Sequence, residues 1–169
     1  NFLQGNLMGF DLNGKTVGIV GTGRIGSVMA KIMHGYGCRI LANDLNPDYR
    51  LVQLYNLTYT SLEEICRQSD IISLHIPMTQ ENHYLIDKQK LALMKREVIL
   101  INTARGALVE TKELIAALEN NTIGGYCTDV YEKEIGTFFN YQAVWLSVII
   151  SGLLQFYALD KAVCGQICE

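Results

Sequence analysis

Two hydrophobic periods alternate along this chain. Thr16 to Val20 (TVGIV) is a short β-branched run that stops at glycines, and Ser27 to His34 after it puts Val28, Met29, Ile32 and Met33 on one face at helical spacing. The pattern predicts strand, tight loop and helix. Arg39 to Ala42 (RILA) reads as a second buried strand and Thr58-Tyr59 as a short third, followed by a helix N-cap at Ser61 with Glu64 at the capping-box position. Asp70 to His75 (DIISLH) gives a fourth strand closed by Pro77, Lys88 to Met94 a helix, and Val98 to Asn102 (VILIN) a fifth strand. Thr111 to Leu118 reads as helix, with Glu110 and Glu113 near its N-terminus where the macrodipole favours acids, and Ile123 to Val130 as a glycine-loosened sixth strand. Strands apolar on both faces, alternating with helices, predict an α/β doubly wound parallel sheet.

Between the first strand and the first helix lies Gly21-Thr22-Gly23-Arg24-Ile25-Gly26. Fifteen glycines in 169 residues produce a G-x-G-x-x-G spacing by accident, so the context gives it weight. Gly21 follows a strand directly and can turn tightly, Gly23 admits a pyrophosphate close to the backbone, and Gly26 lets helix and strand pack. Free N–H groups and the helix dipole then face the anion. Asp44, at the end of the second strand and 18 residues beyond Gly26, is placed to accept hydrogen bonds from the adenosine ribose. An acid there repels a 2′-phosphate, and Arg39 sits at the strand's other end, so the pattern predicts a Rossmann-type domain that takes NAD over NADP.

Composition narrows the partners. With 49% apolar residues, 169 residues suffice for one ordinary domain with a sizeable core. Fourteen Lys and Arg against seventeen Asp and Glu give a net charge of −3, with no basic cluster longer than Lys95-Arg96. This disfavours a nucleic-acid or anionic-membrane surface and points to a small-molecule partner. Five scattered cysteines (Cys38, Cys66, Cys127, Cys164, Cys168) without a Cys-x-x-Cys pair suit reduced thiols, with no metal site expected. Asn56-Leu57-Thr58 and Asn120-Asn121-Thr122 match the N-glycosylation pattern, but with no signal segment before them the expectation is a cytoplasmic protein. Ala143 to Leu159, interrupted by Ser147, Ser151, Gly152 and Gln155, falls short of the roughly 20 apolar residues of a membrane span and reads as buried strand plus amphipathic helix.

Several segments in order resemble one family. Leu12 to Gly18 (LNGKTVG), Ser73 to Pro77 (SLHIP), Asn102 to Gly106 (NTARG) and Asp129 to Glu134 (DVYEKE) are similar to motifs of the NAD-dependent D-isomer-specific 2-hydroxyacid dehydrogenases. The resemblance runs from Asn1 through Phe139, and Tyr131 with Phe138-Phe139 is closer to the D-lactate branch than to the phosphoglycerate or formate branches. It implies hydride transfer between NADH and a 2-keto acid such as pyruvate. Arg105 matches the catalytic arginine, whose guanidinium fork can hold a 2-hydroxy acid's carboxylate bidentately. Glu134, 29 residues beyond Arg105, matches the glutamate that pairs with a catalytic histidine, raising its pKa and fixing its tautomer. By the same resemblance Ile76, Pro77, Asn82, Thr103 and Asp129 line the nicotinamide half of the cofactor, and relatives usually dimerise through this domain.

The pattern also breaks. Val148-Ile149-Ile150-Ser151-Gly152 resembles the approach to the family's catalytic histidine, yet the next residue is Leu153, which cannot titrate. His34 lies in the first helix, His75 in the fourth-strand motif and His83 in the loop after it, so none is expected to stand in. Only eight residues separate Phe139 from Val148, and the family's substrate domain is expected to be largely missing. Residues 1–139 are therefore expected to form the NAD-binding domain, with an interdomain helix at 1–10, and residues 140–169 a divergent remnant. A non-catalytic NAD-binding module is the alternative function.

Overall fold

Six strands pair in parallel. In the computed structural model, which describes residues 10–132, β1 is Thr16–Val20, β2 Arg39–Asn43, β3 Thr58–Tyr59, β4 Ile71–Leu74, β5 Ile99–Asn102 and β6 Gly125–Thr128. They form one sheet in the order β3-β2-β1-β4-β5-β6. Val17 pairs with Ile40 on one side and Ile71 on the other, which fixes the register at the centre. All five residues of β1 are buried, because helices cover both faces. The predicted doubly wound α/β sheet is therefore the observed one.

Helices α1 (Arg24–Gly35), α2 (Tyr49–Tyr55), α3 (Leu62–Gln68), α4 (Lys88–Leu93) and α5 (Thr111–Glu119) supply the crossovers. One core layer gathers Ile65, Leu91, Leu100 and Leu114, and the other gathers Ile19, Ala30, Met33, Ile40 and Leu51. Cys38, Cys66 and Cys127 are buried free thiols, and burial pushes both Cys66 and Cys127 up to about 11. No helix among the described residues is long and apolar enough to cross a membrane, and no cluster of His, Cys, Asp and Glu among them could hold a metal.

The structure departs from the sequence pattern in three places. First, α1 starts at Arg24 and buries Gly26, Ala30 and Met33, whereas Val28 is 54% and Ile32 46% exposed. The small side chains at i and i+4 let the helix lie close on β1, and that contact, rather than hydrophobicity, sets the buried face. Second, α2 has no counterpart in the hydrophobic pattern. Its signal is local: Asp48 after Pro47 accepts a hydrogen bond from Arg50 N at 3.0 Å, an N-cap, and Asn56 closes the helix in the left-handed region at φ 51°. Ser61 caps α3 as expected, accepting from Glu64 N at 3.2 Å, but the Glu64 carboxylate reaches Gln68 rather than back to the cap. The predicted helix at 1–10 and the segment 140–169 lie outside the described residues.

Candidate functional site

The strand order reverses between β1 and β4, so the loops leaving their carboxyl ends run in opposite directions and open a crevice. The β1 loop is shaped by its glycines. Gly21 has φ +93°, and a Cβ there would lie 2.6 Å from the Ile76 side chain and 2.7 Å from the His75 carbonyl. A Cβ on Gly26 would lie 1.8 Å from the Gly21 carbonyl, so helix and loop touch backbone to backbone. Gly23 differs: a Cβ there would meet nothing within 4 Å among the described residues.

Gly23 is also the N-cap of α1, with no side-chain cap bond and no acid in the first turn. The first N–H groups of a helix have no intrahelical partner, so these donors point into the space beside Gly23. Arg24 and Ile25, at the helix start, are exposed, Ile25 by 69%. The opening continues toward α2 as a cleft of about 470 Å³ lined in part by Thr22, Arg24, Ser27 and Leu54. An unobstructed backbone and free donors are what a pyrophosphate requires, and the acid lining the cleft, Asp48, is paired with Arg50 at 2.7 Å, so the residues present fit a dinucleotide.

Asp44 stands beside this loop. Its Oδ2 accepts from Thr22 N at 2.6 Å and from the Thr22 hydroxyl at 3.0 Å, and its Oδ1 accepts from Asn46 N at 2.8 Å. Burial pushes this carboxyl up, but the Asn46 and Thr22 donors outweigh it and hold it below the usual carboxylate range. Asp44 is thus an oriented, charged acceptor at neutral pH.

The β4 loop contributes Ile76, which covers Gly21, and Pro77, which is exposed. Asn82 spends its amide inside that loop, accepting from Thr79 N at 2.6 Å and donating to the Pro77 carbonyl at 2.8 Å, so it shapes the loop. His75 bonds the Ser73 hydroxyl at 2.9 Å, and burial holds its pKa below the usual histidine value. His83 is exposed and lies against Tyr84 with the rings tilted by 45° and centroids 3.8 Å apart, and His34 lies 5.9 Å from the Tyr55 ring at the far end of α1.

Thr103 and Arg105 stand exposed after β5. Arg105 has an extended backbone, its Nη1 donates to the Ala104 carbonyl at 2.6 Å, and it pairs with no carboxylate among the described residues. Its loop is braced by Asn102, fully buried, which donates from Nδ2 to the Arg105 carbonyl at 2.8 Å and accepts from Ala104 N at 3.1 Å. Asp129 is exposed after β6. Backbone of Tyr131 and Glu132 crosses directly over Gly106, where a Cβ would lie 2.0 Å from the Tyr131 carbonyl carbon. Tyr84 ties the three loops together. It sits at φ 55°, donates its N–H to the Ala107 carbonyl at 2.9 Å, and bonds the Glu132 carboxylate through its hydroxyl. Asn102 opens the NTARG motif and closes an apolar strand, but nothing in the sequence gives it the role of bracing the Arg105 loop, and Tyr84 does not stand out at all. Glu134 and Leu153 lie outside the described residues.

This arrangement has relatives. Residues 2–148 match the model of the D-isomer specific 2-hydroxyacid dehydrogenase, NAD binding domain. A 2-hydroxyacid dehydrogenase homolog of Zymomonas mobilis is 47% identical over 144 residues, which span 85% of this chain and 44% of that protein. Among solved structures, the pyruvate reductase of Chlamydomonas reinhardtii superposes with a TM-score of 0.77 at 41% identity, covering 82% of this chain and 41% of that one. The apo-structure of D-lactate dehydrogenase from Escherichia coli superposes at 0.76 with 42% identity, covering 80% and 43%. The chain thus spans less than half the length of these relatives, and its cofactor is NAD. By sequence and by fold, this chain belongs to the D-isomer-specific 2-hydroxyacid dehydrogenases, whose NAD-binding domain it comprises.

Proposed function

We propose that this chain binds NAD(H) across the β1 and β4 loops and serves as the cofactor half of an enzyme that reduces a 2-keto acid such as pyruvate. The carrying observation is the Gly23 opening, with free helix donors on one side and the oriented Asp44 carboxylate on the other. Gly21, Gly23, Arg24, Ile25 and Gly26 form the pyrophosphate cradle, Asp44 takes the adenosine ribose, and Ile76, Pro77, Asn82, Thr103 and Asp129 border the nicotinamide end. NADH supplies the hydride when bound. Arg105, exposed and without a carboxylate partner among the described residues, would take the substrate carboxylate. Glu134 is the acid that would orient a histidine base, and a dimer and a cytoplasmic setting complete the reading.

A second reading, NAD binding without turnover, is favoured by Leu153, where the resemblance places the histidine. His75 is no substitute, since it is engaged with Ser73.

NADH fluorescence titration of the chain, paired with a pyruvate-reduction assay, separates the readings. Absence of NADH binding defeats both, while binding without turnover selects the second. If turnover is present, Arg105→Lys is expected to cost it about 10²-fold or more with NADH affinity unchanged, because an ammonium cannot reproduce the bidentate fork.

The sign of the Asp44 shift gives a further expectation. A carboxylate held below its ordinary range keeps its charge as pH falls, and loses it only below the ordinary aspartate range. NAD⁺ affinity is therefore expected to vary by less than about threefold between pH 8 and 5. A tenfold loss centred near pH 6 would mean that a histidine, not Asp44, governs the site.

A further inference from the structure

Tyr59 lies on the edge strand β3, paired only with β2, and the motif reading assigns it nothing. Its hydroxyl nonetheless sits 2.9 Å from Thr22 Oγ1 and 3.1 Å from Asp48 N, between the β1 loop and the start of α2. The direction of each bond follows from proton counting. Asp44, ionised, can only accept, so the Thr22 hydroxyl gives it its single proton. Thr22 Oγ1 must then accept from Tyr59, whose own proton is spent there. The Asp48 carbonyl, 3.4 Å from the Tyr59 hydroxyl, is the poorer acceptor, and Tyr59 Oη instead receives the Asp48 N–H. Every donor runs one way: Asp48 N–H to Tyr59, Tyr59 to Thr22, Thr22 to Asp44.

We infer that Tyr59 is a positioning residue for adenosine-ribose recognition, acting through Thr22 to fix the Asp44 carboxylate and tying the loop at residues 44–48 to the pyrophosphate cradle. The inference rests on the proposed role of Asp44. With Oδ2 held by two Thr22 donors and Oδ1 by Asn46 N, the carboxylate cannot swing, and its remaining lone pairs face outward in one orientation. Without the Tyr59 hydroxyl, the Thr22 hydroxyl is free to turn and the loop after β2 loses its tie to the sheet edge. Tyr59 packs its ring on the β2 side of the core and edge-on to Tyr49 at 6.0 Å, contacts a phenylalanine would keep.

The test compares wild type and Tyr59→Phe of the full chain by NADH titration, and by competition with ADP and 2′-deoxy-ADP. Tyr59→Phe, which removes both the bond to Thr22 Oγ1 and the acceptor of the Asp48 N–H, is expected to weaken NADH and ADP by about five- to tenfold. The preference for ADP over 2′-deoxy-ADP is expected to shrink by about threefold or more, since the missing 2′-hydroxyl is the group that Asp44 would hold. Thr22→Val should shrink the same preference, and adding Tyr59→Phe to it should shrink it no further, because both break one chain of donors. An equal weakening of ADP and 2′-deoxy-ADP would make Tyr59 merely structural and overturn the inference, as would additive effects of the two substitutions or an unchanged NADH affinity. If wild type fails to bind NADH, the reading of the cofactor site falls and the inference with it; if wild type binds and the preference is unmoved, the inference alone falls. Should Tyr59→Phe fail to fold, Thr22→Val and Thr22→Ser carry the comparison, with the preference lost in the first and kept in the second.

Discussion

Gly26→Ala is expected to abolish NADH binding and to destabilise the fold by about 3 kcal/mol, the upper part of the range for overpacking a close contact. The added methyl would sit 1.8 Å from the Gly21 carbonyl, and because the methyl is fixed to the helix and the carbonyl is backbone, no flexible side chain can turn aside. Either α1 lifts from β1, which breaks the layer holding Ala30 and Met33, or the loop at Gly21 unwinds from φ +93° and loses its bond from Gly21 N to the Asn43 carbonyl at 2.8 Å. Both outcomes move the cradle. Gly23→Ala is the informative contrast. Its methyl would meet nothing within 4 Å among the described residues, so unfolding in urea should change by less than about 1 kcal/mol, the usual scale of an N-cap substitution, while the methyl occupies the ground a pyrophosphate would take. Gly23→Ala is therefore expected to weaken NADH by tenfold or more with the fold intact. Equal destabilisation by the two substitutions would mean that the glycines differ only as parts of one turn, and the pyrophosphate assignment would lose its footing.

The contrast between these glycines shows what can be read from a sequence of this kind. Strand, turn and helix around the β1 loop follow from local hydrophobic period and the need for backbone contact at Gly26, and both are properties of neighbouring residues. The acid at Asp44 is legible because parallel pairing of β1 with β2 brings the two strand ends together, Val20 beside Asn43. What escaped depends on contacts between segments far apart in the chain. Tyr59 meets Thr22 across 37 positions and Tyr84 meets Glu132 across 48, and nothing in the local pattern of either tyrosine announces a partner. The exposed side of α1 escaped for a related reason. Val28 and Ile32 look like a core face until the small residues Gly26 and Ala30 are seen to decide which side can approach the sheet. Helix α2 was hidden because its stability comes from the Asp48 cap and its one buried residue, Leu51, rather than from an apolar stripe. Arg105 was found through its motif, but what holds its loop is Asn102, whose amide and carbonyl oxygen bind the Arg105 carbonyl and Ala104 N–H.

Gly106→Ala is expected to separate the two halves of the site. A methyl there would lie 2.0 to 2.3 Å from the Tyr131 and Glu132 backbone, so the segment after β6 must move away from the loop that carries Arg105. That motion pulls Glu132 from the Tyr84 hydroxyl and slackens the β4 loop, which the Tyr84 N–H and the bond from Ile86 N to the Leu108 carbonyl at 2.9 Å otherwise stitch to the β5 loop. A cost of about 2 to 3 kcal/mol is expected from the displaced backbone, read as a lower urea midpoint at unchanged slope. ADP, which would engage only the β1 and β2 ends, should bind within about twofold of wild type, because no atom of the clash lies on that side of the strand reversal. NADH should weaken more than ADP, and any reduction of a 2-keto acid should disappear, since the loop that carries Arg105 would be pushed away from the segment after β6. Tyr84→Phe, which breaks only the tie to Glu132, should show the same order of effects at smaller size. Loss of ADP binding in either variant would show that the sheet transmits the disturbance across the reversal and that the two halves are one mechanical unit; selective loss at the nicotinamide end locates the coupling in the three loops that Tyr84 joins.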